Sequence, residues 1–145
     1  MEISIRPATT EDATEIARLS GELGYPTSAQ EMADRLGGLL QQGKFIAVAV
    51  QREPVLLGWI AAESRLSLES GRMAEITGLV VDSRAKRSGI GSRLVAAAED
   101  WARSCGHDTV IVRSNAVRLE SHPFYLERGY ARAKTQHVYS KPLTA

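Results

Sequence analysis

The 145-residue chain has little of several features that mark special classes of protein. Its single cysteine, Cys105, excludes an internal disulfide and fits a reducing compartment. Its net charge of +1 lacks the basic excess of a dedicated nucleic-acid-binding domain. No apolar run approaches the ~18 residues of a membrane span, and no secretion-signal pattern opens the chain. These absences predict a cytoplasmic protein with no nucleic-acid partner and no membrane partner.

The rest of the composition is that of an ordinary globular domain, with 43% hydrophobic and 24% charged residues. The length predicts one domain, residues 1–145, with a core of its own. The three histidines lack metal-ligand spacing and no Cys or carboxylate cluster supports them, so we expect no metal site. The serines lack the G-x-S-x-G context, which argues against a serine hydrolase.

Hydrophobic periodicity predicts alternating strands and helices along the whole chain. Ser28 and Glu31 have the spacing of a capping box at the start of the second helix. A helical crossover leads from the strand ending at Val81 to the strand at 109–113, which predicts that these two strands are parallel. Terminal strands at 130–134 and 137–141 complete the order βααβββαβαββ. This order predicts an α/β protein with a mixed sheet and helices on both faces.

The strand ending at Val81 runs into a basic loop that contains glycine and opens a helix. The first amides of a helix have no intrahelical acceptor and lie at the positive end of its dipole, so they can bind an anion. Gly89 and Gly91 remove the Cβ atoms that would hold a diphosphate away from the backbone. Basic residues surround this point: Arg84, Lys86, Arg87 and Arg93. The pattern predicts a phosphate cradle, and the alternative is an ordinary glycine turn beside a solvated basic face.

The spacing excludes two common phosphate loops. A Walker loop needs Lys and then Ser or Thr after Gly91, and a dinucleotide fingerprint needs a glycine where Leu94 stands. The segment 86–91 instead resembles the acyl-CoA-binding motif of the GNAT superfamily of N-acetyltransferases, Q/R-x-x-G-x-G/A, although Lys86 departs from the usual Arg or Gln. The resemblance implies acetyl-CoA as co-substrate. The cofactor-binding residues that it implies are Leu79, Val80, Val81, Lys86, Arg87, Ser88, Gly89, Ile90, Gly91, Ser92 and Asn115.

A second signature follows in the order that GNAT proteins have. Asn115 precedes Phe124-Tyr125 and Gly129-Tyr130, which match F-Y-x-x-x-G-F/Y after a strand-terminal Asn. The resemblance implies that Tyr125 lies near the thioester sulfur and protonates the leaving thiolate as a general acid. Without the glycine loop, an aromatic side chain packed beside Phe124 would be the simpler interpretation of Tyr125.

The strand that leads to the glycine loop carries two further candidates. Glu75 is a candidate general base that would accept the ammonium proton directly or through water, and a solvated or salt-bridged strand residue is the equally supported alternative. Gly78 inside a strand predicts a bulge or a close backbone approach. In GNAT proteins such a bulge splays two parallel strands, so the resemblance implies that amides at Leu79–Val81 bind the pantetheine arm and polarise the acetyl carbonyl.

The resemblance implies a GNAT fold, with a mostly antiparallel sheet and one splayed parallel pair. It also implies direct transfer of an acetyl group from acetyl-CoA to a primary amine. We expect a small-molecule acceptor, because 113–136 is similar to the branch that contains aminoglycoside 6′-N-acetyltransferases. The acceptor would be bound by 21–42 and the last hairpin. A homodimer is a further expectation. The rival function is a non-catalytic acyl-CoA sensor or protein-interaction module, and the presence of both Glu75 and Tyr125 favours the enzyme.

Overall fold

The structure is a computed structural model that describes residues 2–86, 88–113 and 121–144. Two residues of the predicted cofactor site, Arg87 and Asn115, lie outside the described residues. The chain divides into two compact units, Met1–Arg113 and Ser114–Ala145. No helix in the described ranges combines the length and hydropathy of a membrane span.

A five-stranded sheet forms the centre of the first unit. In chain order, which is also the order across the sheet, its strands are β1 (Ser4–Pro7), β2 (Phe45–Arg52), β3 (Val55–Ser67), β4 (Gly71–Val81) and β5 (Val110–Val112). Neighbours from β1 to β4 are antiparallel, and β5 is parallel to β4. The predicted mixed sheet with one parallel pair is therefore confirmed.

Three helices belong to this unit: α1 (Ala13–Glu22), α2 (Ala29–Gln41) and α3 (Ile90–Ser104). Short 3-10 helices, Thr10–Asp12 and Ser83–Ala85, precede α1 and α3. The predicted capping box of α2 is confirmed, because Ser28 Oγ accepts from Glu31 N at 3.0 Å and Ser28 N donates to Glu31 Oε1 at 3.2 Å. Such a box satisfies two amides that a helix start otherwise leaves without partners.

The helices cover opposite faces of the sheet. Leu19 of α1 and Leu36 of α2 join Val48 of β2 in one buried apolar cluster. On the other face, an added Cβ at Gly58 would lie 3.1 Å from Leu94 Cδ1 of α3, so the absent side chain lets α3 approach β3 closely. Buried apolar surface on both faces supplies the main stabilisation of this arrangement.

A bulge interrupts β4 near its centre, as Gly78 predicts. Gly78 pairs with Ala61 of β3, but Ile76 pairs with Ala62, so Thr77 is one extra residue in β4. The pairing of β4 with β5 ends at Ile76 and Val112, whereas β4 continues to Val81. The bulge therefore coincides with the point at which the parallel strand pair stops pairing.

Within its described residues, 121–144, the second unit contains one helix, α4 (Ser121–Glu127). The strands predicted at 130–134 and 137–141 are absent, because 130–144 has neither helix nor strand and side chains from 131 onward are exposed. A hairpin of two short strands is marginal by itself in water. In this unit the described range 121–144 holds no further strand to support such a hairpin. Local alternation predicted strands here without specifying the partner that they need.

Candidate active site

The glycine turn before α3 has the geometry of an anion cradle. Gly89 has φ of +82°, a backbone conformation that a side chain rarely adopts, and a Cβ there would meet no atom within 4 Å. Arg93 N is the first amide of the helix to find an acceptor, Gly89 O at 3.1 Å. The amides of Ile90, Gly91 and Ser92 precede it in the first turn, where helix geometry offers no acceptor. The open space at the Cβ position of Gly89 thus lies next to the backbone amides of the first turn of α3.

The basic side chains around this turn are less available than the sequence predicts. Arg84 is bound to Asp82, and Arg93 Nη1 donates to the carbonyl of Ile3 at 2.5 Å. The Ser88 hydroxyl donates to the carbonyl of Ala85. Lys86 is exposed at the end of the 3-10 helix. Arg84 and Arg93 therefore use part of their hydrogen-bonding capacity within the fold, and the expectation that the basic side chains surround one point stays a prediction.

Asp82 is a buried carboxylate that sequence reasoning missed. Its side chain is 1% exposed. Oδ1 accepts from Arg84 N at 2.9 Å and Nε at 3.2 Å, and Oδ2 accepts from Arg84 Nη2 at 2.9 Å and Arg18 Nη1 at 3.2 Å. Hydrogen bonds from the Arg84 side chain hold the pKa of Asp82 well below its usual range. Burial opposes this effect, and the Arg84 amide and the Arg18 side chain add to it. Asp82 therefore stays ionised and fixes the entrance to the glycine turn.

Arg18, a residue of α1, connects Asp82 to that helix. Its Nε donates to Glu15 at 2.8 Å, its Nη1 to Glu22 at 2.8 Å, and its Nη2 to the carbonyl of Leu56 at 3.1 Å. The Glu15 carboxylate also accepts from Leu56 N at 3.0 Å. An aspartate directly after a strand is a common turn and cap residue, and that local signal could have found Asp82. The contact with Arg18 had no such signal, because it joins distant parts of the sequence.

Trp59 lies over the bulge on the face that α1 and α2 cover. A Cβ on Gly78 would be 2.8 Å from Trp59 Cη2 and Cζ3, so the close approach predicted for this glycine is confirmed. The indole Nε1 of Trp59 is buried and has no hydrogen-bond partner in the part of the chain that the structure describes.

Glu75 lies in an ion-paired cluster and is 12% exposed. Its Oε1 accepts from Arg65 Nη1 at 2.8 Å and from Arg113 Nη1 at 2.5 Å. Burial raises the pKa of this carboxyl, but the hydrogen bonds from Arg113 and Arg65 outweigh burial and hold the pKa below its usual range. The structure therefore has the salt-bridged side chain that was one of the two interpretations of Glu75. A low pKa also makes it a weak proton acceptor at neutral pH.

Tyr125 lies in the second unit, in an aromatic group at the end of α4. Its ring makes edge contacts with Phe124 at 5.1 Å and Tyr130 at 5.8 Å between centroids. Burial raises the pKa of the Tyr125 phenol above its ordinary value. The hydroxyl is therefore protonated at neutral pH, the form that a general acid needs.

The residues predicted to bind the pantetheine arm come directly after the bulge in β4. Leu79, Val80 and Val81 pair with β3, and the pairing with β5 does not extend to them. Asp82 N donates to the carbonyl of Leu57 at 2.8 Å and so keeps the chain against β3 as it enters the loop. The first unit thus brings the backbone after the bulge and the glycine turn into one continuous segment.

Comparison with known proteins agrees with this geometry. The Acetyltransferase (GNAT) family matches residues 10–130. Aminoglycoside N(6')-acetyltransferase type 1 of Klebsiella aerogenes is 28% identical over 146 residues, 96% of each chain. Aminoalkylphosphonate N-acetyltransferase of Salmonella typhimurium (strain LT2) is 30% identical over 135 residues, 89% of this chain and 85% of the relative.

Solved structures extend the agreement to the fold. The structure of aminoglycoside N-acetyltransferase AAC(6')-Iy in complex with CoA is 16% identical and has a TM-score of 0.85, covering 97% of this chain and 95% of that one. At this identity the likeness concerns the fold alone. The family match carries the assignment, since it spans both signatures and the segment between them. The chain belongs to the GNAT family and is an N-acetyltransferase that uses acetyl-CoA as co-substrate.

Proposed function

We propose that the protein acetylates a small primary amine by direct transfer from bound acetyl-CoA. The amine nitrogen forms a bond to the acetyl carbon, the carbon–sulfur bond breaks, the ammonium loses a proton and the CoA thiolate gains one. The observation that carries the proposal is the open glycine turn at the start of α3, reached directly from the part of β4 that lies beyond its last pair with β5. The established family supplies the reaction class.

The cofactor would be held mainly by backbone groups. We assign the pantetheine arm to the backbone at Leu79–Val81, and the diphosphate to the turn 86–92, including Arg87. Asn115 completes this proposed set. The left-handed conformation of Gly89, the empty space at its Cβ position and the first-turn amides, for which the helix offers no acceptor, support the assignment.

The two proposed catalytic side chains receive different support. A phenol that stays protonated suits Tyr125 as the acid that delivers a proton to the thiolate sulfur. Glu75 remains the proposed proton acceptor on β4, acting directly or through water, but its bonds to Arg65 and Arg113 favour a positioning role. The pH dependence of a Glu75 variant separates these roles.

The small-molecule acceptor is supported by the activities named for two relatives that match most of the chain. We also propose that both compact units form one catalytic domain, because the family match at 10–130 spans them. A homodimer, a cytoplasmic location and the lack of nucleic-acid and membrane partners belong to the same proposal. The alternative, a non-catalytic acyl-CoA sensor or protein-interaction module, would bind acetyl-CoA without transferring its acetyl group.

A panel of amines assayed for CoA release tests the transfer. Acetyl-CoA binding with amine-dependent release of free thiol supports the enzyme, and binding without release by any amine supports the sensor. Tyr125→Phe is expected to lower kcat by about 10- to 1000-fold with little change in acetyl-CoA affinity. Tyr139→Phe is the matched control, since Tyr139 is 90% exposed. Full activity of Tyr125→Phe would assign the acid role to another group.

The cradle has its own test. Gly89→Leu is expected to weaken acetyl-CoA binding about tenfold or more, because backbone hydrogen bonds to a charged phosphate are lost. Gly43→Leu is the control, since Gly43 also has a positive φ, +75°, and open space at its Cβ position. Both variants carry similar backbone strain, so equal affinities by calorimetry would contradict the cradle.

A further inference from the structure

The two arginines that hold Glu75 place their charge toward the outside of the molecule. The side chains of Arg65 and Arg113 are 41% and 44% exposed, whereas that of Glu75 is 12% exposed. Both guanidinium groups donate to the same oxygen, Oε1. The Glu75 carboxylate therefore lies below the two guanidinium groups and orients both of them.

Arg65 brings hydrogen-bond donors to the cluster that have no acceptor among the described residues. Arg65 Nε and Nη2 make no hydrogen bond within the described residues, because its bond to Glu75 uses Nη1 alone. The neighbouring carboxylate Glu63, opposite Glu75 in register, is already 4.0 Å from Lys44 Nζ. A guanidinium with an open edge matches the paired oxygens of a carboxylate or a phosphonate. The chemistry of the cluster is that of an anion receptor.

The cluster lies on the strand that leads to the proposed acetyl-transfer point. Glu75 precedes Gly78, where β4 has just left β5. A strand advances about 3.3 Å per residue, so this separation is about 10 Å. A three-carbon chain between an amine and an anion is shorter than this distance, so the long side chains of the two arginines would cover the rest. A polycation of the same size would instead meet two positive charges.

We propose that Arg65 and Arg113 bind an anionic group of the acceptor, so that the acceptor is a small amine that also carries a carboxylate or a phosphonate. Glu75 is the positioning residue that fixes both guanidinium groups. This inference rests on the proposed acetyl transfer and names the class of its acceptor. It differs from the proposed function in a measurable way, since any primary amine satisfies that proposal.

Four acceptors of similar length separate the possibilities: aminopropylphosphonate, γ-aminobutyrate, propylamine and diaminopropane. We expect kcat/KM for an anionic amine to exceed that for propylamine about tenfold or more, since hydrogen bonds to charged groups are strong. Diaminopropane is expected to be the poorest acceptor. Whichever of aminopropylphosphonate and γ-aminobutyrate has the higher kcat/KM shows whether the site prefers a phosphonate or a carboxylate. An order with diaminopropane or propylamine first overturns the proposal.

Arginine variants test the assigned residues. Arg65→Gln and Arg113→Gln are expected to bring the ratio of kcat/KM for anionic amine over propylamine toward one. Arg103→Gln is the matched control, because Arg103 and its partner Asp100 are 70% and 79% exposed on α3. Thermal unfolding of each variant checks that the fold is retained. A ratio unchanged in both cluster variants overturns the assignment.

Calorimetric titration separates failure of this inference from failure of the proposed function. Aminopropylphosphonate and propylamine are titrated into the protein saturated with CoA, so that no turnover occurs. If no amine releases CoA in the activity assay, acetyl transfer fails as a proposal, and the titration still tests the anion site. Tighter binding of aminopropylphosphonate that Arg65→Gln weakens supports the site. Equal binding of the two amines, or no binding of either, overturns it.

Discussion

Two carboxylates near β4 are each held by two arginines, and the two sites differ in how many carboxylate oxygens accept the hydrogen bonds. Asp82 is 1% exposed and uses both oxygens, whereas Glu75 is 12% exposed and shares one oxygen between its partners. Arg84 wraps around Asp82 with its own backbone amide and side chain. Among the described residues, Arg65 Nε and Nη2 have no hydrogen-bond partner. A carboxylate and two arginines therefore form a fully hydrogen-bonded structural site at Asp82 and a site that can bind an anion at Glu75.

The difference has a simple energetic origin. Removing a charge from water is costly, and only a full set of hydrogen bonds offsets that cost. Asp82 has this set, so its contacts stabilise the folded loop. At Glu75 both arginines bind one oxygen, and the Nε and Nη2 groups of Arg65, which have no partner within the described residues, can exchange water for a ligand. Stability measurements should therefore respond to Asp82, and acceptor kinetics should respond to Glu75.

The largest expected effect is on stability, from Asp82→Asn. Loss of the charge removes the carboxylate partner of Arg84, while Arg18 keeps its bonds to Glu15 and Glu22. We expect a loss of about 2 kcal/mol in the free energy of unfolding, within the range for hydrogen bonds to charged groups. Urea denaturation measures it. Asp100→Asn, which removes an exposed pair, should change the free energy by less than about 1 kcal/mol. Equal losses in the two variants would contradict the structural role of Asp82.

Acid pH should remove the advantage of Asp82. The Arg84 side chain holds the folded-state pKa of this carboxyl far below the value of about 3.9 expected when unfolded. Its stabilisation is therefore present above about pH 4 and is lost as pH falls through the folded-state pKa. The difference in unfolding free energy between the wild type and Asp82→Asn should shrink as pH is lowered from about 6 to about 2. A constant difference would mean that packing, not charge, holds the loop.

Local signals in the sequence predicted most of the fold of the first unit. The capping box at Ser28 and Glu31, the parallel strand after α3 and the bulge at Gly78 each depend on a few neighbouring residues, and each is confirmed. The terminal strands failed, because alternation at 130–141 does not specify a pairing partner. Prediction of the site had the same limit. The two signatures identified the family, but the Arg65, Glu75 and Arg113 cluster joins β3, β4 and the residue that follows β5, and no spacing rule connects them.

The smallest expected effect is the change in kcat/KM caused by Glu75→Gln, and it tests the contrast between the Glu75 and Asp82 sites most directly. If Glu75 positions the arginines, the variant should lower kcat/KM for aminopropylphosphonate about three- to tenfold, because a neutral amide orients two guanidinium groups less firmly than a carboxylate. That loss should stay constant as pH rises. Glu63→Gln, in the opposite strand position, is the control.

A general base gives a different profile for the same variant. The loss would then shrink as pH approaches the pKa of the acceptor amine, since free amine no longer needs to be generated there. The low pKa of Glu75 argues for the constant loss, because a carboxylate held by two arginines gains little by accepting a proton. A loss that disappears at high pH would make Glu75 the base and would weaken the contrast with Asp82. Unchanged kcat/KM at every pH would remove Glu75 from both roles and leave the exposed arginines to bind the acceptor alone.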